Sequence, residues 1–451
     1  MISGSRLSRR ALLAGAFALS PVARALGQVP ASGQVDVVII GAGAAGIAAA
    51  RKVAAAGRSY ALIEAAKRVG GRAYTDTAAF GVPLDMGADR LYLPGAAALA
   101  ELGRQAGLDL YAGPRAARLY LAGKEAKDAE YEDFVATVRR AERAIGAAGD
   151  AGRDMAAARV LPDLGPFGAA ASFLIGPLGC AKELEQVSTV DLSRAEERDE
   201  TLFCRTGIGA LVVKLAEGLP VRLDTTASSI EFGGRGVEVR TNRGLLTARA
   251  VILAVPPSLL AAGKIRIQPG LPARQRSAIE RITLGARDHI AFLLPGNPLQ
   301  AEPDETLHVQ TIGQKPLSLS ARVGGSDVHV AQVGGQMAQA IADGGPNAGA
   351  DYVKTALQAA FGTDVSRKIG KVVQTRWSRE PLALGALSCA LPGSGNMRRA
   401  FTEVVANRLV FAGEHAHETL WGTVPGAWLS GERAAGQALR ILGVQGAALA
   451  P

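Results

Sequence analysis

The apolar positions of this chain alternate between strand-like runs and helical periods, and the switches mark its elements. Residues 34–40 (QVDVVII) form a compact β-branched run, which predicts a buried parallel strand. Gly41-Ala42-Gly43-Ala44-Ala45-Gly46 follows at once, then an alanine-rich helix over 47–56 that Gly57 stops. A second apolar strand, 60–63, ends in Glu64. Further along, 211–219 reads as a helix, 221–223 as a short strand, and 229–241 as a hairpin arm turning at Gly233-Gly234. Residues 251–255 form another buried strand, ended by Pro256-Pro257. A last strand, 409–412, ends at Gly413-Glu414, and after an irregular 420–424 a helix is predicted over 425–441. Between these lie 89–205 and 265–372, mixed helix and strand, with an amphipathic helix at 130–146 and a surface loop at 344–349 (GGPNAG).

The predicted fold class is α/β. A discontinuous doubly wound nucleotide-binding domain takes 33–88, 203–264 and 373–446, and a mixed α+β domain for substrate is inserted as 89–202 and 265–372. The first 25 residues stand apart. Ser8-Arg9-Arg10 precedes a short apolar stretch at 11–19, then Pro21 and the small-x-small step Ala23-Arg24-Ala25, the layout of a secretory signal with a twin-arginine pair. That predicts export to the periplasm and removal of residues 1–25.

Composition narrows the picture further. Of 451 residues, 48% are hydrophobic and 20% charged, enough to bury a sizeable core and against wholesale disorder. No apolar run reaches the ~18 residues that a membrane span needs. The net charge of +9 includes four arginines of the leader; the remaining 46 basic and 41 acidic residues leave +5, dispersed along the chain. Nucleic acid, which calls for a clustered basic stripe, is therefore not an expected partner. Cys180, Cys204 and Cys389 allow one disulfide at most and no cysteine zinc site. His415 and His417 lack a third ligand in view, and no metal is expected.

The glycine turn is the strongest local signal because strand, turn, helix, strand and acid follow within about 30 residues. Gly41 permits the tight turn, Gly43 lets the backbone approach a pyrophosphate with Ala42 beside it, and Gly46 lets helix and strand pack closely. The helix N-terminus attracts the phosphates. Glu64, 23 residues after Gly41, lies where a carboxylate meets a ribose diol. Gly70-Gly71-Arg72 adds a second close approach and a cation for the pyrophosphate, which moves the choice from NAD towards FAD.

These segments together resemble the flavin-containing amine oxidase family. The resemblance rests on VDVVIIGAGAAGIAAARKVAAAG, EAAKRVGGRAYT, DMGADR (85–90), VILAVPPSLL (251–260), WSREP (377–381) and FAGEHAHETLWGTVPGAWLSGERAA (411–435), in the family's order. It implies that Gly41, Gly43, Gly46, Glu64 and Arg72 hold the ADP half of FAD and that the Ala227 backbone meets the adenine. Gly87 and Ala88 would pass beside the flavin, and Gly413-Glu414 would bind the ribityl chain or the pyrophosphate region. The Val424 N–H would face the flavin O2.

The departures concern chemistry. Leu387 and Thr423 stand where the family often has two aromatic rings framing the amine. Ala386 replaces a cysteine that some relatives bond to the flavin, so FAD is expected to be non-covalent. His289 replaces a lysine that holds a water near flavin N5, and Ala66 replaces a frequent arginine. Arg90 occupies a position where amino-acid-oxidising relatives hold the substrate carboxylate; its other reading is a pair with Asp89 or Glu380. The resemblance implies C–N oxidation of an amine, with O2 or a periplasmic carrier such as a cytochrome as acceptor. Its alternatives are an L-amino-acid oxidase or dehydrogenase using Arg90, a carbon–carbon dehydrogenase, and a flavin-binding protein without turnover. A homodimer is an allowed assembly.

Overall fold

The computed structural model describes residues 33–113, 117–198, 200–234, 236–311 and 315–444; the expected signal segment lies outside them. Two sheets dominate. The first has eight strands and starts from β1 (Gly33–Ile40), whose last four residues are all buried. β1 leads through the glycine turn into α1 (Ala44–Ala55), and the chain returns as Tyr60–Ile63, parallel to β1. Much later come α2 (Ile208–Leu215) and β2 (Gly244–Leu253), the latter parallel to β1 on its other side. The expected strand at 251–255 is thus the end of a ten-residue strand. Its first half alternates buried and exposed residues because it pairs antiparallel with Val237–Thr241 in a three-stranded meander, so its hydrophobic signal is diluted. Its second half pairs in parallel with Leu409–Phe411.

The second sheet has seven strands in which β3 (Arg287–Leu293) and β4 (Val328–Gly334) run antiparallel, with Val372–Gln374 at the edge beyond β3. One of its faces buries Ile290, Phe292, Ala331 and Val333 with the helices Gly335–Asp343 and Ala348–Phe361. That second helix begins inside the segment expected as a loop, so only 344–347 lie outside it. The opposite face packs Ala291, Val328 and Val330 on Leu84 and Met86. Strand alternation puts Arg287, His289 and Gln332 on this same face, turned towards the nucleotide-binding sheet.

The long helix α3 (Val424–Ile441) closes the first sheet and packs on α1. A Cβ at Gly431 would lie 2.0 Å from the Ala45 carbonyl oxygen, so the two helices touch backbone to backbone. This close crossing brings the N-termini of α1 and α3 to the same cavity. Among the described residues no helix is long and apolar enough to cross a membrane, and Cys180, Cys204 and Cys389 are buried and free.

Candidate active site

A cavity of about 550 Å³ lies against the carboxyl ends of the parallel strands, touching Ile40, Ile63, Ala254 and Gly413, and reaches Arg287 and His289 of the second sheet. Its floor is the glycine turn. Gly41 has φ +102°, and a Cβ there would lie 2.8 Å from the Ala254 carbonyl. At Gly46 a Cβ would sit 1.8 Å from the Gly41 carbonyl oxygen, whereas at Gly43 the nearest atom is 3.9 Å away and the backbone faces open space. No side chain caps α1 and its first turn carries no acid, so its N-terminal N–H groups are left for an anion.

Beside this floor, Glu64 accepts hydrogen bonds from the Ala42 N–H at 2.7 Å and the Ala66 N–H at 2.9 Å, one on each oxygen. Each oxygen keeps a second acceptor direction, which suits a ribose diol. Burial pushes the carboxyl up, and these N–H groups with Arg68 pull it back. Thr225, whose N–H bonds the Glu64 carbonyl, lines the cavity next to Ala227. An open backbone at Gly43, an uncapped helix start and a half-buried ribose acceptor fit a dinucleotide such as FAD.

Three expected ligand groups have other duties. Arg72 donates through Nη1 to the Ala386 carbonyl at 2.6 Å and to Glu414 at 2.9 Å, which leaves Nε and Nη2 for a pyrophosphate. Glu414, expected at the ribityl chain or the pyrophosphate region, accepts from Arg72, from the Ser388 N–H and hydroxyl, and from the Gly422 N–H. Those four bonds use its acceptor capacity, and Arg72 heads the interactions that hold its carboxyl down at about 2 against burial. Glu414 is a clamp that joins 72, 388 and 422 around the cavity. Thr423, expected on the substrate wall, donates its hydroxyl to the Leu420 carbonyl and accepts the Gly426 N–H. It is the N-cap of α3 and shows the cavity no free hydroxyl. Since Pro425 has no N–H, the cap leaves the Val424 N–H as the first-turn donor without a partner among the described residues.

The remaining wall carries Leu387, packed on Gly422, with Gly87, Ala88, Trp377 and Tyr92. Trp377 is fixed by its indole N–H to the Met86 carbonyl at 3.0 Å. His289 is buried, and its Nδ1 lies 3.0 Å from the Asp85 carbonyl oxygen. A carbonyl only accepts, so Nδ1 carries the proton and Nε2 is left as an acceptor with no partner among the described residues. Burial lowers the histidine below its ordinary value, opposed chiefly by Asp89, so it is neutral near pH 7. The Asp85 carboxylate in turn accepts the first N–H groups of α2 and the Thr75 hydroxyl, and burial pushes it up to about 6. This residue, which the motif reading passed over, positions the histidine through its carbonyl; its carboxylate meets a helix N-terminus 123 positions along the chain, so no local motif signals it.

Arg90 does not present a free fork. Its Nε and Nη2 bond Asp89 at 3.1 and 2.7 Å, and its guanidinium lies 5.4 Å from the Phe203 ring centroid. The pair with Asp89, the other reading of this side chain, takes Nε and Nη2, while Nη1 has no partner among the described residues. His415 is packed against Phe401 and Gly413 with neither ring nitrogen partnered, and His417 accepts the Thr419 and Leu420 N–H groups. Among the described residues no three His, Cys, Asp or Glu side chains gather as a metal site.

Burial holds all five histidines below their ordinary value, His415 at about 3. The unfolded chain binds these protons near pH 6.5 and the folded chain does not, so stability is full above about 6.5 and falls as pH drops. His415→Phe, which removes one such group and keeps a ring beside Phe401, flattens the fall in unfolding free energy between about pH 6.5 and pH 4. Denaturant melts across that range check it; an unchanged slope would contradict the assignment.

A nucleotide cradle joined to a wall that carries Leu387, Trp377 and one neutral imidazole fits a flavoprotein oxidoreductase. The chain belongs to the family of flavin containing amine oxidoreductases, which it matches over residues 44–439, and FAD is its cofactor. It is 28% identical over 442 residues to lysine-specific histone demethylase 1 homolog 2 of Arabidopsis thaliana, covering 90% of this chain and 58% of that protein. The chain thus spans little more than half the length of such relatives. It is also 28% identical to polyamine oxidase 4 of Oryza sativa subsp. japonica, over 89% of this chain and 88% of the relative. Among solved structures, putrescine oxidase bound to putrescine has a TM-score of 0.77 at 20% identity, covering 91% of this chain and 100% of that one. Cyclohexylamine oxidase from Brevibacterium oxydans IH-35A gives 0.76 at 20% identity over 91% and 100%. These structural likenesses establish the shared fold.

Proposed function

We propose that this protein oxidises the C–N bond of an amine to an imine, which water hydrolyses to a carbonyl compound. FAD, when bound, supplies the hydride acceptor at N5. The observation that carries the reading is His289, a buried neutral imidazole whose unpartnered Nε2 stands on the cavity wall beside Gly87 and Ala88. That nitrogen accepts a hydrogen bond from a water or from a neutral amine and holds it in place, while Leu387 and the Thr423 methyl exclude bulk water. The Val424 N–H and the α3 N-terminus supply positive potential to the ring system. The expectation of non-covalent FAD is supported by the lack of a cysteine among the described residues that line the cavity.

The acceptor is O2, giving peroxide, or a periplasmic carrier such as a cytochrome, and the twin-arginine leader supports export. Product analysis tests the reading. The holoenzyme given an amine it turns over is expected to release one carbonyl compound and one ammonia or smaller amine for each O2 reduced to peroxide, or for each two cytochromes reduced. A product that keeps its nitrogen and gains a carbon–carbon double bond would replace the proposal with carbon–carbon dehydrogenation.

A further inference from the structure

We infer that Asp288, which does not itself line the cavity, is a positioning residue for the reaction: it fixes His289 against Trp377 and so sets where an amine stands on the wall. The inference rests on His289 holding the amine or its water. Asp288 precedes His289 on β3, so alternation turns its side chain to the opposite face of the sheet, the one that buries Ile290 and Phe292. There it is 1% exposed. Its Oδ1 accepts the Thr375 hydroxyl and the Trp377 N–H, both at 2.8 Å. Its Oδ2 is buried without a partner among the described residues, and burial pushes the carboxyl above its ordinary value against those two donors. A carboxyl on an apolar face destabilises a fold unless its bonds offset the burial. Both bonds here go to the segment that carries Trp377 into the cavity.

The edge strand Val372–Gln374 pairs with β3, and Thr375 extends the pairing by one residue. The Thr375 N–H donates to the His289 carbonyl and its hydroxyl oxygen accepts the His289 N–H, each at 2.9 Å. The chain then leaves the sheet at Arg376 and enters a short helical turn, Trp377–Arg379, whose first N–H is the one that Asp288 accepts. On the cavity side the two rings hold consecutive carbonyls: His289 Nδ1 that of Asp85 and the Trp377 indole N–H that of Met86, each at 3.0 Å. The bonds close a circuit. It runs from Asp288 along the chain to His289, across to 85–86, through the indole to Trp377, and by the Trp377 N–H back to Asp288. Gly87, next along, leaves little slack, since a Cβ there would lie 2.0 Å from the Arg72 carbonyl oxygen and 3.3 Å from the Trp377 ring. Without the Asp288 carboxyl the circuit is open at its back, and imidazole and indole are no longer held at one separation. A shift of about 1 Å at the reacting centre is enough to cost on the order of 100-fold in rate.

The test is anaerobic flavin reduction by rapid mixing, with the FAD-loaded protein and the compound that reduces the parent fastest in a panel headed by butylamine, cyclohexylamine and putrescine. Asp288→Ala is expected to lower the limiting rate constant about 10- to 100-fold, while the half-saturating concentration moves less than about 3-fold. Asp288→Asn, which keeps the accepting oxygen, recovers most of that loss. Action through His289 also predicts non-additivity: in a His289→Ala background, Asp288→Ala costs no more than about 3-fold further. Should Asp288→Ala fail to retain FAD, Thr375→Val takes its place, because it keeps the backbone pairing and removes only the hydroxyl. Its loss is expected to be smaller and likewise to vanish beside His289→Ala. Flavin content and urea midpoints are read in parallel, since a purely structural role would lower them and leave the flavin-loaded fraction reacting at the parent rate. That outcome, or losses that multiply with His289→Ala, would overturn the inference and leave C–N oxidation intact. Parent flavin that no amine or amino acid reduces would overturn both.

Discussion

Gly46→Ala yields a protein without bound FAD and less stable by at least about 3 kcal/mol. The new methyl carbon would stand 1.8 Å from the Gly41 carbonyl oxygen and 3.6 Å from the Ala254 Cβ. Neither neighbour can yield. Gly41 is held at φ +102°, its N–H bonded to the Ile63 carbonyl at 2.8 Å, with the Ala254 carbonyl pressed against its Cα. Relief requires α1 to lift from β1, which carries its N-terminal N–H groups away from the phosphates. Gly43→Ala is the control: it meets only the Gly70 carbonyl, at 3.9 Å, so the protein folds and its loss is confined to FAD affinity. The ratio of flavin to protein absorbance after purification, with denaturant melts of both variants, checks the pair. A Gly46→Ala protein that keeps a full complement of FAD would contradict the packing argument.

The second large effect lies away from the cofactor. Asp191 and Arg398 form a paired fork, at 2.6 and 2.7 Å, with side chains 1% and 2% exposed. Arg398 also donates to the Ser388 hydroxyl and carbonyl and to the His415 carbonyl, and Asp191 accepts the Ala390 N–H. Trp421 bonds the Asp191 carbonyl and has Arg198 and Arg398 at 4.8 and 4.9 Å from its ring. Removing one partner strands a buried charge, so Asp191→Leu is expected to cost about 3–5 kcal/mol. Asp191→Leu with Arg398→Met recovers much of it, because the remaining cost is then packing and backbone donors. Ser388 passes the effect to Glu414, so the single variant also holds FAD less tightly. Urea unfolding with flavin retention measured in parallel decides it; a single variant within 1 kcal/mol of the parent would rule out the pair as a structural keystone.

How much of this was legible follows from the distance between partners. The glycine turn could be read because its residues act on one another within six positions: a Cβ at Gly46 would strike the Gly41 carbonyl. The strands of the parallel sheet announced themselves because both faces are buried, whereas the first half of β2 hid behind its alternation. Asp191, Ser388, Arg398 and Glu414 gave no local signal, since Asp191 and Arg398 stand 207 positions apart and only the fold joins them. Glu414 was read as a ligand because an acid after a buried strand looks like one; its saturation by four donors needed coordinates. Thr423 had a readable signal that was set aside. A threonine two residues before a proline and three before a glycine that opens a helix is an N-cap pattern. The Arg90–Asp89 pair was readable as one option because the two are adjacent, whereas only sheet alternation places Arg287 beside His289.

The central claim is that this cavity oxidises C–N bonds, and an anaerobic absorbance titration of the yellow holoenzyme tests it most directly. Amines and amino acids are added in turn, with matched alcohols and saturated acids that lack nitrogen. The flavin band near its visible maximum is predicted to bleach stoichiometrically with nitrogen compounds of one class and to stay unchanged with the others. Readmitting air or a cytochrome then returns the colour and names the acceptor. A flavin that stays oxidised with every amine and amino acid, or bleaches with a compound that carries no nitrogen, would contradict the account.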